Sequence, residues 1–418
     1  MTPLLRRIDG VSPRARSAVD SDALSVAENI MRDIEAIGES ALRKHAETYD
    51  GLASDDPIVI DRDGLEQARD RLPVQQLDVL KRVAARIRVF AEAQRDALVD
   101  VDVEVAGGRA GHRWIPVETV GAYAPGGRYP LPSSVLMTVI PAKVAGVETV
   151  WVASPRPTDV TLASASVAGA DGLLRVGGAQ AIAALAYGSV SPPCDLIVGP
   201  GNKYVTAAKK LLFGEVGIDG LAGPSEILVI ADKQADPSLV AADLLAQAEH
   251  DEEAVPMLVS TSQSLVTRVE EQLTEQLGDL PTSSVARMAL DNGFAVTVKT
   301  LIEAVVASNQ IVPEHLAIHV EEPEALLEQL KNYGSLFIGG KSGEVFADYG
   351  VGPNHVLPTG GGARFQSGLS VMTFLRSPTW SRLDDPAALI DDTVLLARLE
   401  GLEAHARAAL RRVDTQVR

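Results

Sequence analysis

At 418 residues the chain has room for about three domains of ordinary size and for a large buried core. Hydrophobic residues make up 46% and charged residues 22%, a globular composition that excludes a disordered or fibrous chain. With 38 basic and 56 acidic side chains the net charge is -18, which argues against nucleic acid or an anionic membrane as partner, and 4% aromatics offer few platforms for bases.

Residues 1–20 are expected to form an N-terminal arm; MTPLLRRIDG contains no apolar core of signal-peptide length, and no run of about 18 apolar residues occurs. The single cysteine, Cys194, excludes an intrachain disulfide and a cysteine-rich metal cluster, and it fits a reducing compartment, so a cytoplasmic location is expected. Ser21-Asp22 can cap a helix through residue 50, with Ala23, Val26, Ile30, Ile34 and Ile37 on one face. A second helical stretch follows Asp63, breaks near Pro73 and resumes through residue 98. Residues 102–125 alternate and carry glycine pairs, which predicts strands and turns.

From about Val147 strands and helices alternate, and the strands are rich in β-branched residues. That pattern predicts parallel sheets in an α/β fold. The alternation exceeds what one sheet of about six strands needs, so two α/β units are expected, with a seam around Gly217 to Ser225. After Pro378 a helical tail carries Leu395, Leu399, Leu402, Ala406, Ala409 and Val413 as one apolar stripe, with a kink expected at Gly401.

Several polar clusters can carry chemistry. Gln247 and His250 are three residues apart at a helix end, which suits either the beginning of a metal site or a solvated terminus. Glu314 and His315 stand side by side at a strand entry, as two proton acceptors or as an exposed turn after Pro313. Asp348 and His355 flank a Gly-Pro loop, a place for display of functional groups or a structural turn. His405 is alone in the terminal helix, where a boundary residue is the simple reading; His319 reads as a packed or edge residue of a strand, and Cys194 as structural. Glycine-rich turns at Gly121, Gly177 and Gly199 follow predicted strands, yet none matches GxGxxG, so the unaided nucleotide signal is weak.

Taken together, GAYAPGGRYPLPSSVLM, VGGAQAIAALAYG, GPGNKYVTAAKK, AGPSEILVIAD, DLLAQAEHD, VPEHLAI, ADYGVGPNHVLPT and EGLEAHARAA resemble, in order, the motifs of the histidinol dehydrogenase family. They span Gly121 to Ala409. The resemblance implies oxidation of L-histidinol to L-histidine through the aldehyde, with two NAD reduced, as the last steps of histidine biosynthesis. It implies one zinc per subunit held by Gln247, His250, Asp348 and His405, with Glu314 and His315 as bases. Ser225, Gln247, His250, His315, Asp348, His355, Glu400 and His405 would contact histidinol, and Tyr123, Gln180 and Asn202 would contact NAD. The implied architecture is two incomplete Rossmann-like domains plus small N- and C-terminal helical pieces in a domain-swapped homodimer, which would carry His405 to the partner's site. Residues 120–225 would form the NAD-binding domain, 21–119 and 226–368 a discontinuous α/β domain with the metal and catalytic residues, and 369–418 the tail. Two stretches depart from the family pattern: Asp219-Gly220-Leu221-Ala222, where Met-Pro-Ala is expected, and Pro353, where Thr is common. The same donor set with Glu314 would also serve a zinc hydrolase, which would have no use for NAD, or belong to a noncatalytic binding protein on the same fold.

Overall fold

The computed structural model describes residues 3–10, 19–126 and 130–412; the rest of the N-terminal arm, three residues of the first glycine-rich turn and Val413 of the stripe lie outside the described residues. Strand β1 (Arg6–Arg7) precedes helices α1 (Ser21–Ile37) and α2 (Glu39–Tyr49). The Asp20 carboxylate caps α1 by accepting from Ala23 N, and the single helix expected here breaks at Gly38, whose φ of 68° suits glycine. Next come β2 (Val59–Asp61), α3 (Arg62–Arg71) and α4 (Val74–Asp96), parted at Pro73 as expected. Strands β3 (Val101–Val105), β4 (Gly108–His112), β5 (Ile115–Pro116) and β6 (Thr119–Tyr123) follow. The first alternating run is α5 (Pro132–Ala145), β7 (Thr149–Ala153), α6 (Asp159–Ala168), β8 (Gly172–Leu174), α7 (Gly178–Tyr187), β9 (Leu196–Val198), α8 (Lys203–Leu212) and β10 (Gly217–Ile218). The second is β11 (Glu226–Ala231), α9 (Pro237–Ala248), β12 (Val255–Ser260), α10 (Gln263–Asp279), α11 (Ser283–Asn292), β13 (Phe294–Thr297), α12 (Leu301–Ile311), β14 (His315–His319), β15 (Ser335–Ile338) and the short α13 (Glu344–Asp348). The chain ends in β16 (Leu375–Arg376), β17 (Thr379–Leu383), α14 (Ala387–Leu399) and α15 (Glu403–Leu410).

Two six-stranded sheets result, ordered β10-β9-β6-β7-β8-β2 and β1-β13-β12-β11-β14-β15. Numbered within each alternating run, both read 3-2-1-4-5, the dinucleotide-fold order, with one edge strand added from the N-terminal hundred residues. The added β2 runs antiparallel to β8, and β1 runs parallel to β13. The first run ends at β10 and the second begins at β11, around the stretch where the seam is expected.

Packing differs from the expected division at the N-terminal helices. The helices of residues 21–96 lie on the first sheet, not on the one built from 226–338: α1 packs on α7 and α8, α3 on α6 and α4 on α5. Ala27, Ile30 and Ile34 share a core with Ile182, Ala184 and Val205, and Leu80, Val83 and Ile87 share one with Val135, Ile140 and Val150. The apolar faces of α1 and α4 pack against the alanine- and valine-rich helices of that sheet, and their burial there stabilises the unit.

Residues 350–376 leave the second sheet and return to the first. Gly350 O accepts from Arg86 Nε at 2.8 Å, Asn354 Nδ2 donates to Met137 O at 2.6 Å, and Leu369, Val371 and Phe374 join the core around α5. The loop after Asp348 is thereby strapped across both units. β17 instead pairs antiparallel with β4, which also pairs with β3, in a separate three-stranded ribbon. Beyond it, α14 and α15 break at Gly401 (φ 76°) and pack on each other.

Candidate active site

Strands β11 and β14 lie side by side, and both begin at the same edge of the second sheet. Glu314 and His315 open β14 there, each 5% exposed although preceded by a turn, so the exposed-turn reading does not hold. Glu314 Oε2 accepts from Glu226 N at 2.9 Å. Burial pushes the Glu314 carboxyl well above its ordinary range, with the Glu226 charge adding to the rise. His315 is pushed down to about 4, chiefly by burial, and is therefore a neutral imidazole near pH 7.

Helix α9 runs back along β11 and delivers Gln247, fully buried, beside them: Gln247 Oε1 accepts from His315 Nδ1 at 2.9 Å. His250 stands just past the end of α9, with Nδ1 donating to Ala246 O at 2.9 Å, which leaves Nε2 directed at Asp348 Oδ2, 3.3 Å away. Desolvation works against a charge on His250, but the Asp348 carboxylate outweighs it and raises the imidazole to about 9. Burial likewise opposes charge on Asp348, but the hydrogen bond from His250 and the neighbouring imidazoles hold its carboxyl below the usual range. His355 joins from the strapped loop: Nδ1 is 3.2 Å from Asp348 O, and Nε2 is 3.5 Å from Ser134 Oγ on α5. Ser225, half-buried, precedes Glu226. The cluster therefore draws on both units. It sits at the amino edge of the second sheet, away from the carboxyl edge where ligands of such sheets usually bind.

The donor chemistry suits a divalent metal. Single ligand atoms of His250, Glu344 and Asp348 lie within 4.8 Å of one another, and Gln247 Nε2 is buried without a hydrogen-bond partner. Nitrogen and oxygen donors of this kind match zinc. Glu344, one helical turn before Asp348, is absent from the set expected from sequence. His405 and Glu400 are not brought into this cluster within the chain. Both are exposed at α15 and at the end of α14.

The expected cofactor contacts gather at the carboxyl edge of the first sheet. Tyr123 ends β6, and its OH accepts from Gly178 N at 3.2 Å. Gln180, 3% exposed, donates through Nε2 to Asp50 Oδ2 at 3.0 Å, and the same oxygen accepts from Gly177 N. Asn202 caps α8 by accepting from Tyr204 N and Val205 N. Gly199 N donates to Asp219, which also pairs with Lys209. Tyr123 and Gly199 flank the point between β6 and β9 where strand order reverses, the usual dinucleotide crevice. The chain's own carboxylates take glycine-turn N–H groups that a GxGxxG turn would offer to phosphate, a physical reason for the missing fingerprint. Cys194 is buried and its thiol is pushed up to about 12 by desolvation, and His319 is packed against Asp243, with 2.9 Å between Nε2 and Oδ2.

Two sheets in this order, with a neutral imidazole and a buried acid beside a metal-competent donor set, point to an α/β oxidoreductase. The histidinol dehydrogenase family model matches residues 13–413. Among relatives, the chain is 45% identical over 394 residues to a histidinol dehydrogenase of Thermus thermophilus, covering 93% of this chain and 94% of that one. A histidinol dehydrogenase of Haloarcula marismortui is 44% identical over 424 residues, covering 98% and 100%. The crystal structure of histidinol dehydrogenase from Elizabethkingia anophelis superposes with a TM-score of 0.92 at 30% identity, covering 100% of this chain and 99% of that one. The chain belongs to the histidinol dehydrogenase family.

Proposed function

We propose that this chain oxidises L-histidinol to L-histidine in two steps through the aldehyde, reducing two NAD, as a homodimer with one zinc per subunit. Gln247, His250 and Asp348 hold the metal in this reading, with His405 supplied by a second copy. Ser225, His355 and Glu400 contact substrate, and Tyr123, Gln180 and Asn202 contact NAD. The observation that carries it is the cluster in which Gln247 touches His315, and His250 touches Asp348, at the mouth of β14. A cytoplasmic location agrees with a biosynthetic role; among the described residues no helix is long and apolar enough to cross a membrane.

When bound, zinc supplies an anchor for the imidazole and amine of histidinol, and NAD supplies the hydride acceptor of each step. His315 does the proton work of the first. Its Nδ1–H is engaged, so Nε2 is bare, and burial keeps it unprotonated near pH 7. It takes the hydroxyl proton as the carbinol C–H leaves as hydride, which yields the aldehyde. The second step needs water added to that aldehyde before another C–H can leave as hydride. Glu314, adjacent to His315 and raised by burial, accepts the proton of that water. Its hydrogen bond from Glu226 N fixes one carboxylate oxygen and so orients the other.

The test is a steady-state assay with histidinol and NAD, with and without a chelator. Two NADH per histidinol, loss of turnover on chelation and recovery with zinc are expected. One NADH with release of free aldehyde would refute the two-step reading. Turnover of an ester or amide without NAD would favour the hydrolase.

A further inference from the structure

Glu344 is a buried acid that the mechanism above does not use. It begins α13, one turn before Asp348 and on the same face. It is 1% exposed, and neither carboxylate oxygen has a hydrogen-bond partner. A buried carboxylate in that state is costly and calls for a functional explanation. Its neighbours supply one. Glu344 Oε1 lies 3.4 Å from His315 Nδ1, the nitrogen that also faces Gln247 Oε1 at 2.9 Å. Glu314 Oε2 is farther from it, at 3.8 Å, and is already engaged with Glu226 N. Nδ1 carries one hydrogen, so Gln247 and Glu344 compete for it.

We propose that Glu344 is a positioning residue: it accepts the Nδ1–H of His315 once the Gln247 oxygen is given to the metal, which keeps Nε2 bare for the substrate proton. The inference rests on the reading of Gln247 as a ligand. Without a second acceptor, loading the metal would remove the Gln247 hydrogen bond that holds the imidazole. The ring could then turn, or carry its hydrogen on Nε2, where it cannot act as base.

The experiment compares E344Q and E344M in the full-length, zinc-loaded protein. Gln keeps a carbonyl acceptor of nearly the same reach, whereas Met fills the space without one. Zinc per subunit and KM for histidinol should match wild type in both. kcat should stay within about three-fold in E344Q and fall about 10–100-fold in E344M, the span usual for loss of a supporting hydrogen bond at a metal site. An E344M that keeps its kcat overturns the proposal. So does loss of zinc from either variant, which would make Glu344 a ligand. So does a raised KM with unchanged kcat, which would make it a substrate contact.

A second measurement needs no variant to fold. Imidazole 15N NMR of the wild type, with and without zinc alone, should show His315 as the Nδ1–H form in both states. A switch to Nε2–H on adding zinc overturns the proposal. Failure of the premise shows separately, as Gln247→Ala retaining a full complement of zinc.

Discussion

Asp50 does at the start of α7 what a phosphate does in a dinucleotide fold with free glycine N–H groups. One of its oxygens holds Gly177 N and the Gln180 amide together, each at 3.0 Å. Burial pushes its carboxyl up, and the Gln180 and Gly177 hydrogen bonds act against that rise. Asp50→Ala leaves two buried donors unpaired and should cost about 1–3 kcal/mol, read as a lower denaturation midpoint. In the proposed reading it also frees Gln180, so KM for NAD should rise while KM for histidinol stays. Equal changes in both constants would remove Gln180 from the cofactor site. None of this could be read from spacing. Asp50 is 127 and 130 residues from its two partners, and Glu344 is a lone acid in a five-residue helix. His250, Asp348 and the adjacent pair Glu314-His315 were each candidates from their neighbours, but only family motifs joined the three segments into one set.

Elements were far more readable than contacts. Where a strand lies between two helical layers, its β-branched run and flanking glycines suffice, and β7, β9, β11 and β12 fall where the alternation puts them. α5 left no such trace. Of its 14 residues, ten are buried, with Val135, Met137, Val139 and Ile140 on all sides, so no polar face marks a helical period. The sheet order was also beyond periodicity, because the pairing of β6 with β9 is set by crossovers. That pairing is close at one point: an added Cβ on Gly199, at φ +112°, would stand 2.1 Å from Tyr123 O. Gly199→Ala must move backbone and adopt a conformation poor for alanine. A loss of about 1–3 kcal/mol is expected, measurable by urea unfolding. An unchanged midpoint would mean that the two strand ends can part freely.

Over the whole molecule, the candidate cluster draws on the second sheet and on the loop strapped to α4 and α5, and in the proposed reading also on the C-terminal tail. α14 exposes Leu395, Leu396 and Leu399 at 62%, 59% and 76%, and Leu402 beyond it at 42%, so the N-terminal half of the expected stripe is uncovered in one chain while Ala406 and Ala409 are buried. A second copy is the proposed cover, bringing His405 to the partner's cluster. Mixing inactive His405→Asn and Glu314→Gln proteins under conditions that exchange subunits should therefore restore activity, with about a quarter of the sites intact after random pairing of subunits. No recovery, with exchange verified by mass, would place His405 outside the shared site.

The ribbon of β3, β4 and β17 sets an order on biogenesis. Its outer pairing joins Thr379 to His112, so β4 keeps one free edge until Thr379–Leu383 has been made. Both sheets can be complete by then, because their last strand ends at Ile338. The nascent enzyme would thus complete its two sheets before this ribbon, and a ribosome stalled before residue 379 would carry a folded body with that edge of β4 still unpaired.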